Sequence, residues 1–268
     1  MEKTLIALGP KTRKSFVVTL PVDWVRALGL DKSRKADLEI VGNSAIIRPL
    51  VKEKSKAVLD AKDYANSMPR VLVILYKKGI DEIKIINANP KTINAVSNTI
   101  EQRCIGFEIT DQSKDSCIIS DVTRESAEDF QALLRRCFLI TLQLFEENDS
   151  ESLKNLDKSL NKLTYYCQRL LNKQGYSDFQ NVNYYSRLCS ELEQIGDAYM
   201  QAHKEGQKIG AATGSLLRRA YELFYKFSPR GFDMLHASIP RWGGRNYFEK
   251  SIMQKISSIL GIIYGIRG

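Results

Sequence analysis

Residues 15–49 read SFVVTLPVDWVRALGLDKSRKADLEIVGNSAIIRP. Phe16 to Leu20 is rich in β-branched residues and reads as a strand. Pro21 falls at the first helical position, where its missing N–H leaves no bond unmade. Val22, Val25, Ala27 and Leu28 give a short helix one apolar face, and Gly29 marks its C-terminal stop. Leu38–Val41 and Ser44–Pro49 read as two strands joined at Gly42-Asn43, a hairpin turn signal. A basic loop, Lys11-Thr12-Arg13-Lys14, stands directly in front of the whole stretch. A strand-rich segment of about fifty residues buries too little surface to stand alone, and a second copy doubles the core.

This order of pieces resembles the AbrB/MazE/SpoVT swapped-hairpin DNA-binding domain. The resemblance rests on the basic loop, Val18-Thr19-Leu20-Pro21, the Trp24…Leu28-Gly29-Leu30 pattern and the closing Ala45-Ile46-Ile47-Arg48-Pro49. It implies that two chains interleave their hairpins into one small β-barrel that binds DNA. Lys11, Arg13 and Lys14 in the loop, with Arg26 on the short helix, are the candidate contacts. Most such contacts fall on phosphates, and so position the protein without reading sequence.

A chain of 268 residues has room for two or three domains. Hydrophobic content of 43% and charged content of 26% are those of a globular protein. Leu5 to Leu8 is too short an apolar run for a signal peptide, and Gly9-Pro10 ends it. No stretch reaches the ~18 apolar residues of a membrane span; Ile252–Ile266 is interrupted by Gln254, Lys255, Ser257 and Ser258. The expectation is a cytoplasmic protein without membrane insertion. Cysteines 104, 117, 137, 167 and 189 form no C-x-x-C pair, and only His203 and His236 accompany them. Buried reduced thiols are expected, and neither a zinc site nor a disulfide framework.

The formal charge of +9 is unevenly placed. Residues 1–58 hold twelve Lys/Arg against six Asp/Glu, and residues 226–268 hold seven against two. The regions between are nearly neutral. A basic end built of strands is an electrostatic footprint for a polyanion, and ordinary solubility charge is the plainer reading.

Val51 to Lys56 reads as a linker. Beyond it, Leu59–Ser67 suggests a short helix ended by Pro69, and Val71–Lys78 suits helix and strand equally. Asp81–Ile86 reads as a strand and Pro90–Arg103 as a helix with Ile93, Val96 and Ile100 on one face. Phe107–Thr110 and Cys117–Ser120 read as strands around the turn Gln112-Ser113-Lys114-Asp115. From Ser126 the pattern is helical, opening on a capping box, Ser126-Ala127-Glu128-Asp129. Apolar residues at three-and-four spacing mark helices through Phe130–Phe145, Leu153–Leu171, Tyr184–Ala202, Leu216–Phe227 and Ile252–Ile266. Gly231–Asn246, with Arg230, Arg241, Trp242 and Arg245, reads as a loop between helices, with Trp242 half buried; an exposed anion contact is the other reading. The fold class expected is therefore α+β and multidomain. A swapped-hairpin barrel would span residues 1–52, a small α/β segment 58–122, and an antiparallel helical bundle 123–268.

Leu192-Glu193-Gln194-Ile195-Gly196-Asp197 resembles the LERIGD-type segment of PhoU domains, the phosphate-signalling helical bundles. Asp157-Lys158-Ser159-Leu160-Asn161-Lys162-Leu163 stands where the preceding PhoU helix carries its own acidic pair. The architecture as a whole resembles archaeal phosphate-uptake regulators over about residues 1–210. It implies a homodimeric transcriptional regulator of phosphate uptake whose bundle senses phosphate status through a partner such as a phosphate transporter subunit. Two other readings stand beside it. In one, a PhoU-like protein docks on a transporter or kinase without sequence-specific DNA binding. In the other, the bundle holds a divalent metal.

Glu193 and Asp197 lie four apart, so both carboxylates leave one helix face, and Asp157 is the acid of the partner pair. PhoU domains use such pairs for iron or other metals, so iron, manganese or magnesium are the ions implied. Asn161 stands where a fourth acid would be, and neither histidine has Glu-x-x-His spacing. A solvated or salt-bridged face is the alternative for the same carboxylates. Gly-x-Ser-x-Gly, P-loop and Gly-x-Gly-x-x-Gly patterns are missing, and no enzymatic activity is expected.

Overall fold

The computed structural model describes residues 2–10, 14–41, 44–49, 54–123, 130–174, 179–239 and 244–268. It is a mixed α+β chain that divides into two compact units, Met1–Glu53 and Lys54–Gly268.

In the first unit, β1 (Ile6–Leu8) pairs antiparallel with β2 (Ser15–Val17). Two short helices follow, α1 (Val22–Ala27) and α2 (Leu30–Ser33). Then β3 (Ala36–Val41) pairs antiparallel with β4 (Ser44–Pro49), in a register that sets Val41 opposite Ser44. The turn Gly42-Asn43 lies outside the described residues. Strand β2 stops at Val17, three residues short of the expected end. Pro21 is the N-cap of α1, one position earlier than expected, and its carbonyl accepts from Val25 N–H at 3.0 Å. Gly29 has φ of 65°, the left-handed conformation that ends α1 and opens α2. Among the described residues the strands form two separate two-stranded sheets, and no closed barrel.

The second unit begins with an α/β layer. Its elements are β5 (Lys56–Asp60), α3 (Met68–Lys78), β6 (Glu82–Ile86), α4 (Pro90–Arg103), β7 (Phe107–Gln112) and β8 (Cys117–Asp121). The sheet order is β5-β6-β8-β7, parallel between β5 and β6 and antiparallel elsewhere. The structure corrects two expectations in this layer. Lys56 belongs to β5 and not to a linker, and residues 59–67 are the end of β5 and a turn, not a helix. Pro69 does not end a helix but sits in the first turn of α3, where a missing N–H costs nothing. Helix α4 matches its expected bounds because its cap is local: Asn89 Oδ1 accepts from Thr92 N–H at 2.9 Å, and Pro90 follows.

The helical part comprises α5 (Phe130–Leu144), α6 (Ser150–Gln174), α7 (Val182–Lys204), α8 (Ala211–Tyr225), α9 (Pro229–Ser238) and α10 (Tyr247–Arg267). The break at Asn148-Asp149-Ser150 doubles as a cap, since Asp149 Oδ2 accepts from Ser152 N–H at 2.8 Å. Helix α9 replaces part of the expected loop. Ser228 caps it, accepting from Gly231 N–H at 3.1 Å, and Pro229 supplies its first position. Trp242, Arg241 and the capping box at 126–129 lie outside the described residues. All five cysteines are buried thiols.

Two apolar cores lie in this unit, one in the bundle and one under the sheet. Helix α6 serves both. Leu153, Leu160, Cys167 and Leu171 face the bundle, while Tyr165, Tyr166 and Leu170 join Tyr76, Ile83 and Val96 in the α/β core. One long helix with two apolar faces therefore makes layer and bundle a single body. Glu249 ties the far end together. Its buried carboxylate accepts from Gly210 N–H at 2.8 Å, Thr213 Oγ1 at 3.0 Å and Arg245 N–H at 2.6 Å. It thereby serves the N-termini of α8 and α10 at once, and these bonds hold it below the ordinary carboxylate range against the opposing effect of burial.

Candidate functional site

The first unit contains almost no interior. Leu30, at 7% exposure, is its one buried side chain among the described residues. Phe16 is 63% exposed, Leu38 60% and Ile40 69%, and Leu5, Ile6, Leu8 and Val22 are also open. The register puts Leu38, Ile40 and Ile47 on one side of β3–β4, while in β1–β2 Phe16 lies on the side opposite Ile6, Leu8 and Val17, and among the described residues these apolar side chains are left largely open. An apolar surface of this extent on so small a unit marks an interaction surface. Lys14 stands exposed just before β2, and Arg26 is exposed in the last turn of α1. Lys11 and Arg13 lie outside the described residues.

In the second unit, Asp157, Glu193 and Asp197 meet electrostatically where α6 crosses α7. Gly196 permits the approach: a Cβ there would lie 2.7 Å from Leu160 Cδ2 and 3.8 Å from Asp157 Oδ1. Tyr165 Oη donates to Glu193 Oε1 at 2.9 Å, and Asn161 Nδ2 donates weakly to Asp157 Oδ2 at 3.4 Å. All three carboxyls titrate above their ordinary range. Burial is the main cause for each, and the charge of Asp197 adds to it for Asp157 and Glu193. Arg103 pulls all three the other way. Of the trio implied as metal ligands, Asp197 of α7 is thus the acid that both Asp157 and Glu193 feel. Even so, among the described residues no three His, Cys, Asp or Glu side chains are grouped to hold a metal ion. Tyr165 and Asn161 engage oxygens that a cation would need. Glu193→Gln keeps an acceptor for Tyr165 and removes one of the like charges. Carboxyls whose folded pKa is raised carry a penalty that appears as pH rises above the unfolded value. The substitution should therefore raise the urea midpoint at pH 7, by up to about 1 kcal/mol in stability, and have no effect near pH 4. Equal effects at both pH values would show that charge repulsion is not the cause.

Sequence reasoning missed the joint between layer and bundle. Arg169, on α6, is 2% exposed. Its Nη1 donates to Tyr76 O at 2.9 Å and Ile80 O at 2.7 Å, and its Nη2 to Asp121 Oδ2 at 2.7 Å. The guanidinium lies beside the edge-to-face pair of Tyr76 and Phe107, 5.0 Å from the centre of the first ring and 4.8 Å from that of the second. Lys173, one turn on, reaches Asp81 Oδ1 at 2.7 Å and Asp121 Oδ2 at 3.0 Å. Asp81 Oδ2 also accepts from Ser55 N–H at 2.8 Å. Burial raises both carboxyls, but Thr123, which donates to Asp121 Oδ1, then Arg169 and Lys173 bring Asp121 down to about 2, and Lys173 and Ser55 hold Asp81 below its usual range. The only signal in the sequence is an arginine between apolar positions on both sides of one helix.

No family model matches the chain, and neither does any curated protein or solved structure. Among the described residues no helix is long and apolar enough to cross a membrane.

Proposed function

We propose that the chain is a dimeric DNA-binding transcriptional regulator of phosphate uptake, joined through its first unit, with the helical bundle as its sensing and docking module. The observation that carries this reading is a basic unit without a core of its own. Two hairpins leave Phe16, Leu38 and Ile40 in solvent, while residues 1–58 carry twice as many basic as acidic side chains. A second copy of the same hairpins is the partner that closes such a surface isologously, and interleaving would complete a small barrel. The order of basic loop, strand, helix and hairpin supports the AbrB/MazE/SpoVT resemblance. The Leu192–Asp197 segment supports the PhoU-like one, and with it the phosphate signal and a transporter subunit as partner. The protein is expected to work in the cytoplasm.

The test is DNA binding across salt concentration, on fragments from upstream of phosphate-transporter genes and on random DNA. Replacing Lys11, Arg13 and Lys14 together by Ala should flatten the slope of log K against log salt. The expected change is roughly 0.9 for each phosphate that a protomer no longer neutralises. An unchanged slope and affinity would falsify the loop's role. Failure of the wild-type chain to bind any DNA at low salt favours the bundle as a docking module alone.

A further inference from the structure

The second unit carries a cleft between α3 and α4. It has a volume of about 620 Å³ and is lined by Arg70, Lys77 and Arg103, with Val73 and Ile74 as its apolar part and Tyr165 of α6 at its end. A cleft of that size suits a small organic ligand. Arg70 and Lys77 are seven apart on α3, so two turns of helix bring them to one side. Arg103 closes the last turn of α4 opposite.

Among the described residues, every charged side chain that lines this cleft is basic. Lys56, Lys158, Arg169, Lys173, Arg218 and Lys255 each have a carboxylate within ion-pair reach. Among the described residues Arg70, Lys77 and Arg103 have none at that range, as is true of most lysines and arginines of the unit, and Lys77 and Arg103 act on Glu193 from farther off. Lys77 is half buried, and its Nζ is held 4.9 Å from the centre of the Tyr165 ring. Three cations converge on a concave surface that also leaves Ile74 half exposed. The guanidinium fork pairs bidentately with phosphoryl oxygens, while an apolar shelf takes a flat ring.

The geometry points to a binding site for a phosphorylated small molecule of nucleotide type, its phosphoryl groups on Arg70, Lys77 and Arg103 and its ring against Val73 and Ile74. This site is separate from the basic loop and does not depend on the DNA-binding proposal. Tyr165 links it to the bundle, since the same side chain lines the cleft and donates to Glu193.

Isothermal titration calorimetry of the full chain with ATP, AMP, adenosine and inorganic phosphate tests the site. ATP should bind most tightly and AMP more weakly, with adenosine and phosphate at least tenfold weaker than ATP. Arg70 and Arg103 are exposed, so Arg70→Ala/Arg103→Ala should keep the circular dichroism spectrum while losing tenfold or more in ATP affinity. Ile74→Glu, which adds an anion to the cleft, should abolish binding. The loop variant Lys11→Ala/Arg13→Ala/Lys14→Ala should bind ATP as wild type does, and this separates the cleft from the DNA surface. Absence of ATP binding at millimolar concentration overturns the proposal. So does ATP affinity unchanged by the double substitution, or inorganic phosphate binding as tightly as ATP.

Discussion

Arg169→Ala should cost the Lys54–Gly268 unit about 3–5 kcal/mol, the range for removing one partner of a buried ionic network. The variant leaves Asp121, whose side chain is 8% exposed, with Lys173 as its remaining cation, and takes a buried donor from the carbonyls of Tyr76 and Ile80. It also removes the cation that packs on the edge-to-face pair of Tyr76 and Phe107. Arg169→Lys should recover only part of the loss, because an ammonium cannot serve two carbonyls and a carboxylate from one planar fork. Urea denaturation followed by circular dichroism measures both. A loss below 1 kcal/mol for the alanine variant would show that solvent reaches the joint and satisfies it.

The same network sets a pH window. Asp81 and Asp121 have folded-state values below their unfolded ones, so their stabilisation is present above the unfolded carboxylate pKa of about 4. It is lost as pH falls toward the Asp121 value of about 2. Lys173 is raised by the same two carboxylates, outweighing its own desolvation, so its share is present below the unfolded lysine value and lost in strong alkali. Acid should therefore loosen the joint between layer and bundle, and Asp121→Asn should blunt that acid sensitivity.

Phe16→Asp and Ile40→Asp should each abolish self-association of the full chain at micromolar concentration. Fully burying one large apolar side chain contributes about 1.5–3 kcal/mol. In a two-fold dimer every substitution acts twice, so the expected loss is about 3–6 kcal/mol, on the order of a hundredfold to ten-thousandfold in Kd. Sedimentation equilibrium over a hundredfold range of concentration reads it directly. A wild-type chain that stays monomeric throughout would remove both this prediction and the dimer on which the proposed function rests. A dimer that survives both substitutions would place its interface elsewhere.

Much of the element order is legible because its signals are local. Helix α4 carries its own cap and its own proline, and β6, β7 and β8 are bounded by residues that turn the chain. Sequence reasoning fails where one local rule outweighs another. Pro69 reads as a helix end, yet a proline within the first turn is as compatible with a start. Strand β5 is a short edge strand that pairs only with β6, and its run Lys56–Asp60 has too few residues for period two to stand out from period 3.6. Helix α9 hides among glycine, proline and arginine, although Ser228-Pro229 is a good N-terminal signal.

The acidic face is legible in part. Spacing alone puts Glu193 and Asp197 on one side of α7, but whether Asp157 comes close depends on how tightly α6 and α7 pack, which Gly196 decides. Periodicity, composition and length were enough for most of the elements, the basic charge of the two ends, and a first unit too small to enclose its own apolar residues. Those properties need no knowledge of neighbours. Which polar groups meet is a matter of the folded chain alone. Arg169 reads as an interruption in an apolar helix until strands β6 and β8 bring up Asp81 and Asp121. Arg70, Lys77 and Arg103 read as three ordinary surface charges until α3 and α4 lean together around them. The free energy of a charge is set by what surrounds it in space, and those surroundings come from residues dozens of positions away along the chain.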